Sequence, residues 1–279
     1  MNSAFWRRFR TDRFGLSGLM IVLMFAVLSI GVWLGAWGQN WAETSSNYWQ
    51  GSSFTHWLGT NRLGQDIWQR TLVGAATAFE VGMSVTILSI LLGTVMGALG
   101  GWYNQRWVDE VILWVMGVLD SIPFYLFAAA LAFAMYGQYF AMHLAMILTF
   151  WTTTARIIRA EVMRLKQREF VEAARAIGLP GAKIVFRHIL PNTMHILLVQ
   201  ATIIFVAAIK TEVILSFLGL GVKNGVSWGL MLAESSNEVL TGHFGNFLAA
   251  SISLFVLLMG FNLLTDALQD AFDSRGEAV

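Results

Sequence analysis

Three ionisable residues stand within long apolar stretches of this sequence: Asp120, Lys210 and Glu212. A charge at the centre of a bilayer costs about 2.5 to 3.5 kcal/mol on insertion scales, so each residue predicts a contact with a polar solute or with a partner charge. For Asp120, near the middle of its stretch, the alternatives are a partner on a neighbouring helix and protonation in place. Lys210 could extend outward to the interface, and Glu212, like Glu80 and Asp266, lies near a stretch end, where an interfacial position is the simpler interpretation. We take Asp120, Lys210 and Glu212 as candidate residues of a translocation path.

Other residue types with catalytic potential lack the spacing that catalysis requires. The chain has no cysteine, which excludes disulfides, thiolate metal sites and thiol catalysis. Its five histidines form no H-E-x-x-H or related pattern, so no metal site is expected. An intramembrane serine protease is a remote alternative, because the stretch from Gly82 to Val85 lacks the closing glycine of a nucleophile motif. We expect no catalytic residue, no bound cofactor and no enzymatic activity in this chain.

The composition is that of an integral membrane protein. Of 279 residues, 56% are hydrophobic and only 13% are charged, against about 25% charged in soluble domains. A bilayer core of about 30 Å needs about 20 apolar residues per helix. This predicts six spans, at residues 16–37, 77–100, 111–136, 138–158, 195–218 and 246–266. Gly93, Gly97 and Gly101 recur every four residues in the second span, which favours close helix packing.

Lys and Arg are distributed unevenly between the two sides of the predicted bundle. With the N-terminus inside, the inner segments hold four in the tail, Arg106, eight from Arg156 to Arg187, and Arg275, which makes fourteen. The outer segments hold three, namely Arg62, Arg70 and Lys223. Because positively charged flanks stay in the cytoplasm, both termini are predicted to be cytoplasmic. The first apolar run is long and has no clear cleavage site, so a retained helix is favoured over a secretory signal.

Two segments outside the spans are long enough to carry function. Residues 38–76 are rich in Trp, Ser, Gly and Asn, which is typical of an outer loop at the membrane interface. The cytoplasmic segment 160–191 is predicted to form a helix that Gly178 ends, followed by a turn and a second helix over about 182–189. The first helix carries an apolar stripe that it cannot bury in a core of its own. The stripe comprises Phe170, Ala173, Ala174 and Ile177. A solvated loop on the lipid headgroups and a docking surface for a cytoplasmic partner are both compatible with this pattern.

Four motifs resemble those of a known family of membrane proteins. Glu172-Ala173-Ala174 with Gly178 and Leu190-Pro191 resembles the "EAA" signature of permease subunits of binding-protein-dependent ABC importers, and His188 resembles the variant of the dipeptide, oligopeptide and nickel branch. The other three are HWLGTNRLGQD, in which Asn61 and Gln65 replace the more usual Asp and Arg, then LSFLGLGV with SWGLMLAE, which lacks the usual proline pair, and FNLLTDALQDAFDSR. Together they cover most of the chain from about residue 54 to 275.

This resemblance implies an all-α type I importer permease with six transmembrane helices and an EAA coupling helix between spans 4 and 5. It implies a basic tail and first span at 1–37, an outer loop at 38–76, a permease core at 77–270 and a tail at 271–279. Coupling to the ATPase subunit is expected from six residues: Glu172, Ala173, Ala174, Gly178, Leu190 and Pro191. The alanines would allow close approach, and Gly178 would aim the helix.

The implied partners are a second homologous permease, two cytoplasmic ATP-binding subunits and an extracytoplasmic substrate-binding protein, in a bacterial cytoplasmic (inner) membrane. ATP and Mg would bind the partner subunits, and the sequence agrees, because it contains no G-x-x-x-x-G-K-S/T phosphate loop. The net charge of +1 indicates no nucleic-acid partner. The expected solutes are dipeptides or oligopeptides, with nickel or metal chelates and oligosaccharides as alternatives. A channel or scaffold acting alone would not explain the EAA segment.

Overall fold

The chain folds into helices joined by turns. The computed structural model describes residues 3–135, 138, 140–222 and 225–272. Within these ranges the α-helices are α1 (Ser3–Thr11), α2 (Arg13–Trp33), α3 (Ile67–Trp102), α4 (Trp107–Ser121), α5 (Phe124–Ala134), α6 (Ala141–Leu165), α7 (Glu169–Ala176), α8 (Gly181–Ile184), α9 (Met194–Phe217), α10 (Trp228–Leu240) and α11 (Gly245–Phe272). A π-helical turn, Val185–Ile189, and a 3-10 turn, Leu190–Thr193, join α8 to α9. Lys223 and the predicted tail from residue 273, with Arg275, lie outside the described residues.

The predicted spans correspond to the long apolar helices. In the described part of the chain, α2, α3, α6, α11 and the continuous helical run Gly181–Phe217 are each long and apolar enough to cross a membrane. α4 and the first eight residues of α5, Phe124–Leu131, meet the same criterion only as a pair, with a bend of 91° at the short break between them. Counting this bent pair as one span gives six, so the all-α fold class with six spans is confirmed.

The third span is not the continuous helix predicted over 111–136. α4 ends at Ser121, and Ile122 is extended, with φ −92° and ψ 129°. Pro123 lacks an N–H and disfavours the helical conformation of the residue before it, so it separates the two helices. α5 then restarts at Phe124 in a new direction.

Other differences from the prediction include the start of α3 and the presence of α10. α3 begins ten residues before the predicted position 77, because the side chain of Asp66 caps the helix by accepting a 3.0 Å hydrogen bond from the Gln69 amide. α10 was not predicted, although Ser227 caps it in the same way through the Leu230 amide. Thirteen residues are too few to span a bilayer, so a search for spans does not detect this helix.

The contact between α3 and α6 is the most extensive between two helices of the described residues, and it depends on the predicted glycine repeat. A β-carbon built on Gly93 would lie 2.7 Å from the Trp151 carbonyl oxygen, and one on Gly97 would lie 2.5 Å from that of Ala155. A β-carbon on Gly101 would lie 2.7 Å from the Arg159 carbonyl oxygen. The glycines therefore allow the backbones of α3 and α6 to touch, as the spacing indicated.

Gly97→Ala is expected to destabilise the chain, because its methyl group would meet backbone, which moves less readily than a side chain. Overpacking of this kind costs about 1 to 3 kcal/mol. The measurement is thermal unfolding of the purified chain in detergent. Gly117→Ala is the matched control, since a β-carbon there has no neighbour within 4 Å and alanine is the better helix former. Equal melting temperatures for the two variants would contradict the close backbone contact between α3 and α6, which we call the α3–α6 seam.

Candidate functional site

The predicted coupling segment, residues 160–191, continues from the end of α6 into a short helix, α7, whose end is determined by Gly178. α7 starts after Arg168, which is extended, and it ends where Gly178 takes a φ of +81°. The Gly178 amide donates to the Arg175 carbonyl at 2.9 Å and the Leu179 amide donates to the Ala174 carbonyl at 3.1 Å. Only glycine adopts this left-handed conformation without strain, so Gly178 ends the helix as predicted.

The apolar stripe of α7 does not form a single outward surface. Val171 and Ala174 are buried, with Ala174 only 5% exposed, and they pack in a cluster with residues of α6 and α8 such as Ile158 and Ile184. The expectation that Ala174 lies on an outward docking face is therefore wrong: it attaches α7 to its own chain. The exposed positions on α7 and at its end include Phe170, Glu172, Ala173 and Ile177.

The second half of the segment is one continuous helical run instead of a separate helix over 182–189. α8 passes into the π-helical turn, in which the Leu190 amide donates to the Val185 carbonyl. Pro191 has no N–H to donate and stands in the following 3-10 turn, so the helix changes its hydrogen-bond register there. Leu190 is half-buried against the α6–α8 cluster, and Pro191 is exposed.

Trp102, the last residue of α3, holds the coupling segment against the bundle. Its carbonyl accepts a 2.6 Å hydrogen bond from Lys166 Nζ, and the same ammonium lies 5.4 Å from the centre of its ring. The Arg175 guanidinium lies 5.0 Å from that ring, and a β-carbon on Gly181 would meet the ring at 2.8 Å. The Trp102 ring thus contacts one residue before α7, one within α7 and one after α7. No sequence motif distinguishes Trp102, because a tryptophan at a span end is common at membrane interfaces.

The positive charges around this ring influence one another. Lys166 is partly buried, and this burial lowers its pKa, as do the nearby charges of Arg175 and Arg106. The aromatic face and the carbonyl of Trp102 offset part of this repulsion by attracting the ammonium.

An ion pair with additional hydrogen bonds attaches α6 to the first turn of α4 and to the loop between α3 and α4. Arg159 donates to both carboxylate oxygens of Asp109, at 2.6 and 2.8 Å, and to the side chain of Asn104 at 3.1 Å. Asp109 is buried and also accepts a hydrogen bond from the Gln105 amide. Bidentate pairs of this geometry are among the stronger polar contacts, so α6 is fixed shortly before it leads into α7.

At the opposite end of α3, a buried polar network ties the outer loop to α10. Arg70 donates through Nη1 to Gln65 Oε1 and pairs through Nη2 with Glu234 at 2.5 Å. The backbone amide of Arg62 donates to Glu238 at 2.9 Å. Asn61 Nδ2 donates to Gln65 Oε1 at 2.9 Å. Asn61 and Gln65, the two positions at which the outer-loop motif differs from the pattern it resembles, therefore face each other as a neutral amide pair.

The three candidate path residues lie in different surroundings. Asp120 forms an ion pair with Arg156 and accepts a 3.1 Å hydrogen bond from the Thr152 hydroxyl, so it has partners on the neighbouring helix α6. Glu212 is 1% exposed and accepts a hydrogen bond from Ser216, so its carboxylate lies within the helix packing instead of at the lipid boundary. Lys210 is exposed and lines a cavity.

The structure also places Glu80 against His143 on α6, with 3.2 Å between Glu80 Oε1 and His143 Nε2. Within the described ranges, no three His, Cys, Asp or Glu side chains converge as metal ligands would.

Comparison with known proteins places this arrangement in a family. The family model described as "Binding-protein-dependent transport system inner membrane component" matches residues 89–277, which include the coupling segment, Asp120 and Lys210. The chain belongs to this family. Its match begins within α3 and ends beyond α11, so it covers the α3–α6 seam and both halves of the coupling segment.

Curated relatives of this permease family are similar over nearly the whole chain. The dipeptide transport system permease protein DppC of Bacillus subtilis is 32% identical over 97% of this chain and 84% of its own. The oligopeptide transport system permease protein OppC of the same organism is 32% identical over 96% and 88%. The glutathione transport system permease protein GsiD of Pectobacterium atrosepticum is 33% identical over 97% and 90%.

A solved structure shares the fold at low sequence identity. A chain of the MetNI methionine ABC transporter, in an inward-facing conformation, matches with a TM-score of 0.51 and 17% identity. The match covers 70% of this chain and 96% of the other. The permease fold is therefore common to both chains.

Replacement of Trp102 by alanine is expected to loosen α7. The variant loses the ring that contacts Lys166, Arg175 and Gly181, so backbone amides of α7 should exchange with solvent deuterium about tenfold faster. Trp107→Ala is the control, because that ring is largely exposed. Unchanged exchange in α7 would show that the buried cluster alone holds the helix.

Gln65→Arg is expected to destabilise the outer network by about 3 to 5 kcal/mol, since it places a second guanidinium against buried Arg70. Adding Asn61→Asp should restore most of the lost stability, because its carboxylate can pair with the arginine introduced at position 65. Thermal unfolding of the single and double variants in detergent measures this. A single variant as stable as the wild type would contradict the described contact between positions 61, 65 and 70.

Proposed function

We propose that this chain is the membrane-spanning permease subunit of an ATP-driven importer of peptides, with α7 as the element that couples it to a cytoplasmic ATPase subunit. The observation that carries the proposal is the arrangement of α7: one face is buried against α6 and α8, and the other presents Glu172, Ala173 and Ile177 without a partner in the described chain. A helix of eight residues fixed in this way offers a small rigid surface to a second protein.

The proposed assembly contains a second homologous permease, two cytoplasmic ATP-binding subunits that hold ATP and Mg, and an extracytoplasmic substrate-binding protein. Membership of a binding-protein-dependent transport family supports the last of these. The names of the curated relatives, which refer to dipeptides, oligopeptides and glutathione, support peptides as the solute class.

We place the chain in the bacterial cytoplasmic membrane with both termini in the cytoplasm. Arg106, Lys166 and Arg175 lie together at the α7 end of the bundle. Retention of positive charge on the cytoplasmic side then assigns α7 to the cytoplasm and the network around Arg70 to the outer face.

Ala173 and Ala174 allow a direct test, because adjacent residues have opposite environments. Ala173→Arg should leave the melting temperature of the isolated chain unchanged, while fewer ATP-binding subunits co-purify with the chain and the complexes that do form lose peptide-stimulated ATP hydrolysis. Ala174→Arg should lower the melting temperature of the isolated chain, since it forces a charge into the buried cluster.

The decisive readout is peptide-stimulated ATP hydrolysis by the complete complex in proteoliposomes. Normal stimulation in the Ala173→Arg complex would contradict the assignment of α7 as the coupling helix.

A further inference from the structure

A cavity of about 470 Å³ opens between α5, α6, α9 and α11. Its aromatic wall consists of Phe124, Tyr125 and Phe150, with the rings of Phe124 and Phe150 stacked at 5.0 Å. Its polar lining includes Lys210 and Asn262. The volume lies within the range of roughly 300 to 1,000 Å³ that is typical of small-molecule sites.

Lys210 brings a positive charge to this cavity. Its ammonium has no ion pair or hydrogen bond with any residue that the structure describes. Glu212, two residues further along α9, is rotated about 200° around the helix and is bound to Ser216 within the packing. A cation on a membrane helix is unfavourable in lipid, so Lys210 requires water or an anion from outside this chain.

The remaining lining groups complement an organic anion. Asn262 on α11 offers an amide, and the Thr265 hydroxyl, which donates to the Phe261 carbonyl at 2.7 Å, can still accept a hydrogen bond from a peptide N–H. The aromatic wall offers an apolar surface. The wall includes the first residues of α5, whose N-cap, Pro123, provides no capping side chain. The positive end of this helix therefore adds to the field of Lys210.

From this combination we propose that the cavity is a subsite for the C-terminal carboxylate of a peptide in passage. Lys210 pairs with the carboxylate, Asn262 and Thr265 bond the peptide amide, and Phe124 with Phe150 contacts the last side chain. This inference rests on the proposed function, because it requires that peptides cross through this chain.

The test uses the complete importer in proteoliposomes, with ATP and the binding protein, and two probes: alanyl-phenylalanine and its C-terminal amide. Lys210→Gln is expected to lower uptake of the acid at least tenfold and uptake of the amide less than twofold. Lys210→Arg should keep most of the uptake of the acid. Because every variant uses the same binding protein, its own preference cancels when the acid-to-amide ratios are compared. Arg10→Gln, which removes a positive charge from α1, is the control and should leave the ratio unchanged.

Asn262→Asp provides a second variant. A carboxylate there would compete for Lys210, so uptake of the acid should again fall more than uptake of the amide. Equal losses for the two probes in Lys210→Gln would show that Lys210 supports the structure, for example by pairing with the second permease, and would overturn the subsite. An unchanged acid-to-amide ratio in both variants would overturn it as well. Wild-type vesicles that take up neither peptide would overturn the proposed function and the subsite with it.

Discussion

The backbone contact between α3 and α6 is the constraint on which the other parts of the structure depend. Lipid tails are as apolar as leucine side chains, so helices in a bilayer gain little from hydrophobic burial against each other. Close packing must supply the attraction, and Gly93, Gly97 and Gly101 bring α3 within van der Waals contact of the α6 carbonyl groups. Because α3 has 36 residues, it connects the polar network around Arg70 at one end of the bundle to Trp102 and Lys166 at the other.

Both ends of the α3–α6 pair carry polar contacts that would be too costly in its middle. Near the N-terminal end of α3, Arg70 joins the preceding loop to α10 through Glu234. Near its C-terminal end, Asp109 binds Arg159, and the Trp102 carbonyl accepts a hydrogen bond from Lys166. A displacement of α7 would therefore displace α3 and α6 with it. Such mechanical connection is what a transport subunit needs when ATP is hydrolysed by a partner protein.

The break between α4 and α5 has a different role from the seam. Pro123 interrupts the helix beside Asp120, which is paired with Arg156, and the new helix begins at the wall of the Lys210 cavity. Polar groups in the membrane require partners or water. The break between α4 and α5 thus brings polar groups, among them Asp120 and Arg156, close to the cavity that Lys210 lines.

The sequence by itself determined the features that depend on local chemistry. Apolar length determined the spans, and the conformational freedom of Gly178 determined where α7 ends. The placement of Lys and Arg predicts the orientation. It also predicted the close packing of the second span, since glycines four residues apart share a helix face.

Only the tertiary structure decided which side chains meet across the fold. Ala173 and Ala174 are identical in type and adjacent in sequence, yet packing against α6 and α8 buries only Ala174. The contact of Trp102 with Lys166 spans 64 positions, and the burial of Glu212 depends on surrounding helices that its own sequence neighbours do not specify. Such contacts arise from the geometry of helix packing, in which residues far apart in the chain become neighbours, and no local pattern encodes them.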